Sequence, residues 1–492
     1  MLHEVLKPAT NDSPAEAPAY VAGRWTTETA PAERIGPYTR AVVSRSYPAS
    51  PEQIDAARAF AATGATAVAR LAPATRAEIL ERASALATEH RAGVARLIAL
   101  ELGKPVKDGL GEMDRVADTF AVCASEARAI GGETVPVAGW ARGVGNTALT
   151  YRAPAGVALA ITPFNAPANL LAHKLGASFA AGNTTLVKAP PQAPATTTAM
   201  VALVLEAGMP PEAVQLVHGG GDVGAALCAA PEVSVISFTG SPETGNAVAR
   251  AAGAKRLVLE LGGNAATIVC ADADIAHAAR ICARTGYSNS GQSCISVQRV
   301  YVQRSRFDEF VDAFRAEVDG LTVGDPLDPA TDVGSMVDEA AATRVEKWIA
   351  EATARGARLV AGGERDGATL RPSVVADPPA DATLVTEEVF GALVAVLPFD
   401  DLDSVIDTCN SSRFGLQAGL FTNDITTIVT AWRELAVGGL VVNGSSNFRL
   451  DHVPFGGVKD SGFGREAPKQ MIDDYTVIKT LILRGVSIWG QA

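Results

Sequence analysis

Val157-Ala158-Leu159-Ala160-Ile161, closed by Thr162-Pro163-Phe164-Asn165-Ala166-Pro167 and resumed after a helical run as Thr185-Leu186-Val187-Lys188, carries the architecture of this chain. An apolar run of five residues between turn signals is too short for a core helix and reads as a buried strand. The same alternation recurs downstream. Strands are predicted over 157–161, 185–187, 214–217, 235–238 and 257–259, with helices over 169–181, 195–207, 223–229 and 242–252 between them. Continuous rather than alternating apolar strands signify a parallel sheet covered on both faces. Ligands of such open α/β sheets bind beyond the carboxyl ends of the strands, so chemistry is expected in the turns that follow them.

Upstream, residues 51–130 read as helices, with apolar residues three and four apart at Ile79, Leu80, Ala83 and Leu86 and again at Val94, Leu97, Ile98 and Leu102. Gly103 and Pro105 stop the second run. Residues 131–150 alternate weakly and are predicted to form a β-ribbon outside the main core. Beyond Gly262 a second α/β series begins, with strands near 266–270, 300–302, 393–397, 416–421 and 440–442. The apolar, β-branched segment 475–483 comes after the core should have closed, and is expected to pair with the ribbon or with another subunit.

Composition narrows the function classes. The 492 residues are 48% hydrophobic and 20% charged, within the range of globular proteins and away from disorder. A formal charge of −12 repels phosphate backbones and argues against a nucleic-acid partner. No stretch reaches the roughly 18 apolar residues of a membrane span, and the N-terminal 31 residues lack the apolar core of a secretory signal. The six cysteines form no Cys-x-x-Cys pair, so neither a disulfide framework nor a zinc knuckle is expected, and the reduced cytoplasm is the expected compartment. No metal-ligand motif and no Gly-x-Ser-x-Gly elbow occurs.

Four stretches carry candidate chemistry. In Ser290-Gly291-Gln292-Ser293-Cys294-Ile295 a cysteine follows a polar turn, whereas the other five lie in apolar or Ala-rich surroundings. A free cysteine is ordinarily a small buried hydrophobe; the neighbours of Cys294 set it apart. Glu260 ends a predicted strand and is followed by Leu261-Gly262-Gly263; a carboxylate there needs either a partner or a task as a base. Asn165, between Pro163 and Pro167, can donate to an oxyanion or simply serve the turn. Phe238-Thr239-Gly240-Ser241-Pro242-Glu243-Thr244-Gly245 opens a helix whose free N–H groups suit a phosphate, without a dinucleotide fingerprint or a Walker lysine.

Together these stretches resemble the aldehyde dehydrogenase superfamily. The matching motifs run in order: Pro163-Phe164-Asn165, Leu186-Val187-Lys188-Ala189-Pro190, Phe238-Thr239-Gly240-Ser241, Glu260-Leu261-Gly262-Gly263, Gly291-Gln292-Ser293-Cys294, Glu387-Glu388-Val389-Phe390-Gly391 and Pro454-Phe455-Gly456-Gly457-Val458-Lys459. The resemblance implies an aldehyde dehydrogenase-like α/β fold of two Rossmann-type domains plus a small β oligomerisation element. Residues 1–130 and 151–261 would form the NAD(P)-binding domain, 262–469 the catalytic domain, and 131–150 with 470–492 the oligomerisation element. It implies Cys294 as nucleophile, Asn165 and the Cys294 N–H as the oxyanion hole, and Glu260 as the base that activates water for thioester hydrolysis. Thr162, Phe164, Lys188, Gly219, Gly240, Ser241, Gly245, Leu261, Glu388 and Phe390 fall at cofactor-binding positions. Pro191 stands where many NAD-specific members carry a Glu three residues after the Lys, so NAD and NADP both remain open.

The resemblance extends to the branch holding lactaldehyde, non-phosphorylating glyceraldehyde-3-phosphate and phosphonoaldehyde dehydrogenases. Arg115 and Arg449 are candidate ligands for a substrate anion, with ion pairs to Asp114, Asp118 or Asp451 as the structural alternative. The expected activity is oxidation of a small, anionic or hydroxylated aldehyde by a homodimer or homotetramer. A thiol-dependent esterase and a non-catalytic nucleotide-binding protein are the competing readings.

Overall fold

The computed structural model describes residues 1–7 and 13–488. Residues 8–12 of the polar N-terminal stretch and 489–492 of the expected oligomerisation element lie outside the described residues.

The apolar runs of the first series form an eight-stranded sheet. Its order is Gly462–Phe463, Arg256–Glu260, Val233–Thr239, Val157–Ile161, Thr184–Lys188, Val214–Val217, Ala19–Val21 and Arg24–Thr26. The five strands between Arg256 and Val217 in that order are parallel, and Val157–Ile161 and Thr184–Lys188 are buried throughout. Chain order runs outward in both directions from Val157–Ile161. The crevice beyond its carboxyl end, at residues 162–165, is therefore the topological switch point where such sheets bind ligands.

Helices Pro51–Ala69, Pro73–Glu89, Arg91–Leu102 and Val106–Ala129 confirm the periodicity upstream. Ser50 and Gln53 close a capping box on the first of them. Gly103, at φ 72° and in the left-handed region, ends the third. The apolar faces of the last three join Leu171, Leu175 and Phe179 of the wholly buried helix Pro167–Ala180 in one core, whereas Ile54, Ala57 and Ala61 of the first pack with Val157, Leu159 and Ile161 in another.

The second series forms a seven-stranded sheet: Arg358–Ala361, Ser373–Ala376, Leu393–Phe399, Arg299–Gln303, Ala266–Val269, Gln417–Phe421 and Gly439–Val442, parallel except for the first pair. It has its own core around Ile268, Phe310 and Val396. The chain then returns: Gly462–Phe463 pairs with the edge of the first sheet, and Met471, Ile472 and Tyr475 enter the first core. The resemblance assigned residues 262–469 to the catalytic domain; the pairing of Leu259 with Phe463 puts 462–463 on the first sheet.

The predicted ribbon over 131–150 is only partly a ribbon. Thr134–Val135 and Thr147–Pro154 are strands, while Val137–Gly139 and Ala141–Gly143 are single 3₁₀ turns, because Gly139, Trp140 and Gly143–Gly145 supply no alternating apolar face. The terminal segment pairs with it as expected, Thr476–Leu483 running antiparallel to Thr147–Pro154 over eight residues. Among the described residues, no helix is long and apolar enough to cross a membrane.

Candidate active site

Two segments meet between the sheets. The first sheet contributes the turns after its strands, and the second presents the segments that lead into Ala266–Val269 and Arg299–Gln303. A methyl group built at Gly263 would lie 2.2 Å from the Cys294 carbonyl oxygen, so the Glu260-Leu261-Gly262-Gly263 segment and the cysteine loop touch through a glycine that nothing larger can replace. Cys294 is partly buried and packs with Ile295, Leu416 and Phe455. The other five cysteines are buried. Burial, reinforced by the negative field of Glu388 and Glu260, pushes the Cys294 thiol up to about 12.

Glu260 is 3% exposed, and neither carboxylate oxygen has a hydrogen-bond partner among the described residues. A methyl at Gly456 would lie 2.8 Å from Glu260 Oε1, so the carboxylate abuts the Phe455-Gly456-Gly457 backbone. Burial, together with the neighbouring Glu466 carboxylate, raises its pKa well above the ordinary range. The side-chain amide of Asn165 makes no hydrogen bond to the described residues, while its backbone carbonyl accepts from both Lys104 and Asn289.

Further residues line the crevice. Lys188 ends its strand with Nζ unpaired by the described residues, and burial lowers its pKa to about 8. It borders a cavity of about 340 Å³ with Ile161, Gly220, Gly224, Phe238 and Val248. Thr162 Oγ1 donates to the Lys188 carbonyl at 3.4 Å. Ser241 caps the helix Pro242–Ala252, its Oγ accepting from Thr244 N at 3.3 Å. Gly240 N donates to the Glu260 carbonyl at 3.1 Å, and a methyl on Gly245 would meet Leu261 at 2.5 Å. Gly219 has φ 143° and faces Val223. Glu388 Oε1 accepts from Gly263 N at 2.7 Å, and burial raises its pKa to about 7. Phe390, itself at φ 45°, meets Phe164 edge to face, with ring centres 5.8 Å apart.

The two arginines come together, already paired. Arg115 binds Asp451 with two donors, Nε at 2.9 Å and an Nη at 2.7 Å; the near-neighbour alternatives Asp114 and Asp118 do not hold it. Arg449 donates to Glu466 Oε1 at 3.0 Å and stacks on Phe455. Sequence reasoning missed what joins them. Lys174 bridges Glu466 at 2.9 Å, Thr239 at 2.7 Å and Ser237 at 3.1 Å. His173 and Asn169 reach Asp451 at 2.9 and 3.0 Å. The available signal was a lysine and a histidine in a helix with no polar face.

A parallel-sheet crevice with Lys188 and a helix N-terminus on one side, and a partly buried cysteine and a buried carboxylate on the other, is the arrangement of a dinucleotide-dependent oxidoreductase. The chain matches the Aldehyde dehydrogenase family over residues 25–481 and belongs to it. It is similar to a 3-sulfolactaldehyde dehydrogenase of Priestia aryabhattai, 39% identical over 94% of this chain and 97% of the relative. A lactaldehyde dehydrogenase of Methanococcus aeolicus is 36% identical over 84% of this chain and 88% of its own. Among solved structures, aldehyde dehydrogenase 21 of Physcomitrella patens in complex with the reaction product succinate superposes with TM-score 0.94 at 32% identity, covering 96% and 99% of the two chains. The glyceraldehyde-3-phosphate dehydrogenase GapN of Methanocaldococcus jannaschii, complexed with NADP, gives 0.88 at 33% identity over 92% and 98%. The protein is an NAD(P)-dependent aldehyde dehydrogenase.

Proposed function

We propose that this enzyme oxidises a small aldehyde with a singly charged or hydroxylated tail to the carboxylic acid, through a thioester on Cys294. The observation that carries the reading is Glu260. A buried carboxylate with both oxygens unbonded serves no structural end, and native interiors rarely tolerate one. Its raised pKa fits a base that takes a proton from water.

The Cys294 thiolate attacks the aldehyde carbon, forming the C–S bond as the carbonyl pair moves onto oxygen. Asn165 Nδ2 and the Cys294 N–H hold that oxyanion. A nicotinamide held in the crevice would supply the acceptor for the hydride that leaves the former aldehyde carbon. Collapse of the oxyanion leaves the thioester, and Glu260 deprotonates the water that cleaves it, releasing acid and the thiolate. Lys188 would hold the adenosine ribose, Ser241 and the helix behind it the pyrophosphate, with Gly219 beside the adenine, and Glu388 with Phe390 the nicotinamide end. The crevice suits such a group, since Lys188 Nζ makes no hydrogen bond or ion pair to the described residues and borders an apolar cavity. Pro191 puts no carboxylate where the resemblance places one in many NAD-specific members, which leaves that position open to a 2′-phosphate.

The tail's charge follows from the cluster behind Phe455. Arg115, Arg449 and Lys174 face Asp451 and Glu466, three cations against two anions. Burial and the Arg449 charge lower the pKa of His173, and burial with the Glu466 charge disfavours the anionic form of Glu260. One surplus positive charge matches a sulfonate or carboxylate better than a phosphate dianion. The names of the sulfolactaldehyde relative and the succinate-bound neighbour accord with that. Reduced-cofactor formation with sulfonated, carboxylated, phosphorylated and neutral aldehydes, with NAD and with NADP, tests the reading. Singly charged or hydroxylated members are expected to lead, and Cys294→Ala to abolish turnover. Ester cleavage without cofactor reduction would instead establish a hydrolase.

A further inference from the structure

We infer that Lys104, Glu112 and Asn289 form a clamp that positions Asn165 as the oxyanion donor. This rests on the catalytic reading of Asn165 given above. The two donors to the oxyanion belong to different lobes, the Asn165 amide to the turn after Val157–Ile161 and the Cys294 N–H to the loop before Arg299–Gln303. Their separation is therefore set by whatever ties the two loops together.

Asn289 makes that tie. Its Nδ2 donates to the Asn165 carbonyl at 3.1 Å and to the Gln292 carbonyl at 3.2 Å, spanning the oxyanion turn and the cysteine loop with one amide. The loop bends to allow it: Asn289, Ser290 and Gly291 have φ of 50°, 55° and 73°, three successive left-handed residues. Gly291 has no alternative, because a methyl there would lie 2.0 Å from the Gly391 carbonyl oxygen. Strain of this kind persists where the surroundings over-determine it.

Lys104 and Glu112 hold the turn from the other side. Lys104 Nζ donates to Glu112 Oε2 at 2.7 Å and to the Asn165 carbonyl at 3.2 Å. Glu112 Oε1 accepts the N–H groups of Ala168 and Asn169 at 2.8 and 3.1 Å, capping the helix that begins at Pro167. The side chains of this pair are 8% and 2% exposed. An interior ion pair is no better for stability than packed apolar side chains, so its value here is geometric. With the main chain of Asn165 gripped at its carbonyl and the N–H groups of Ala168 and Asn169 capped, the side-chain amide is oriented yet left uncommitted.

The test is steady-state kinetics with L-lactaldehyde and NADP, together with direct titration of NADP binding, for Asn165→Ala, Asn289→Ala, Lys104→Met and the doubles Asn165→Ala/Asn289→Ala and Asn165→Ala/Lys104→Met. Asn165→Ala is expected to lower kcat by about 10²- to 10³-fold. Asn289→Ala and Lys104→Met should each lower it on the order of 10- to 100-fold, with aldehyde KM and NADP affinity unchanged. Each double should be no slower than Asn165→Ala alone, because the clamp acts through that amide. Wild-type kcat in both clamp variants, or losses that add to that of Asn165→Ala, would overturn the proposal while leaving the oxyanion reading intact. A neutral Asn165→Ala would overturn both. Should Lys104→Met fail to fold, Asn289→Ala, which disturbs no ion pair, decides alone.

Discussion

A cysteine whose thiol lies near 12 and a glutamate whose carboxyl is pushed up share one cause, removal from water next to other carboxylates. Both must lose a proton to act, so activity is expected to climb from neutral into alkaline pH. The rate of Cys294 alkylation by iodoacetamide should rise with pH in the same way; a pH-independent alkylation rate between neutrality and mild alkalinity would contradict this. The second prediction at this scale concerns Asp451. Replacing it with Asn removes one anion from the cluster around Arg115 and Arg449. Relative kcat/KM should shift toward phosphorylated and away from sulfonated aldehydes by about tenfold, the worth of roughly 1.4 kcal/mol. A ratio unchanged from wild type would remove the tail-charge argument. Cys294, Glu260, Asn165 and Lys188 stood out as candidates in the sequence because each sits in a short motif. Lys174, His173 and Glu466 were not, because what gives them meaning is a partner up to 292 residues away.

Strands and helices show where the molecule is unfinished. Thr476–Leu483 is an edge strand, paired on one side only, and exposes Ile478 at 62%, Leu481 at 53% and Ile482 at 62%. Gly439–Val442 is likewise the edge of the seven-stranded sheet. Long apolar edges are templates for pairing with another chain, which supports the homodimer or homotetramer implied by the resemblance. Introducing Ile478→Lys together with Ile482→Lys should lower the molar mass measured by light scattering to that of a single chain, with the far-ultraviolet circular dichroism retained. An unchanged mass would place the interface elsewhere. The strand itself was readable from its β-branched residues. Its partner ribbon was overcalled, because weak alternation does not separate a strand from 3₁₀ turns when glycines interrupt it.

Across the whole molecule, the two sheets are joined by charge as well as by chain. Lys174 comes from a buried helix of the first lobe. Arg449 and Asp451 come from the loop after the last strand of the second, and Glu466 from the returning segment. Lys174→Met would leave Glu466 short of a partner in the interior and should cost about 3–5 kcal/mol in denaturant unfolding; a loss within experimental error would show that Arg449 alone suffices. Acid sensitivity follows from Asp451. Burial works to raise its pKa, but hydrogen bonds from His173 and Arg115 hold it below the usual carboxylate range. A carboxyl depressed on folding stabilises above its unfolded pKa, and that stability is lost as pH falls through the ordinary carboxylate range and below. Asp451→Asn should therefore flatten the acid limb of the unfolding midpoint against pH.

By itself the sequence determined the two parallel sheets, the order of their strands along the chain and the short motifs that carry Cys294, Glu260, Asn165 and Lys188. Apolar periodicity and turn residues are local properties, and local properties are written in consecutive letters. Tertiary structure alone decided that residues 462–463 return to the first sheet, that Arg115 and Arg449 meet over Asp451, and that Asn289 reaches across to Asn165. Those are contacts between segments far apart in the chain, chosen by the shape and charge of a folded interior that no single stretch encodes.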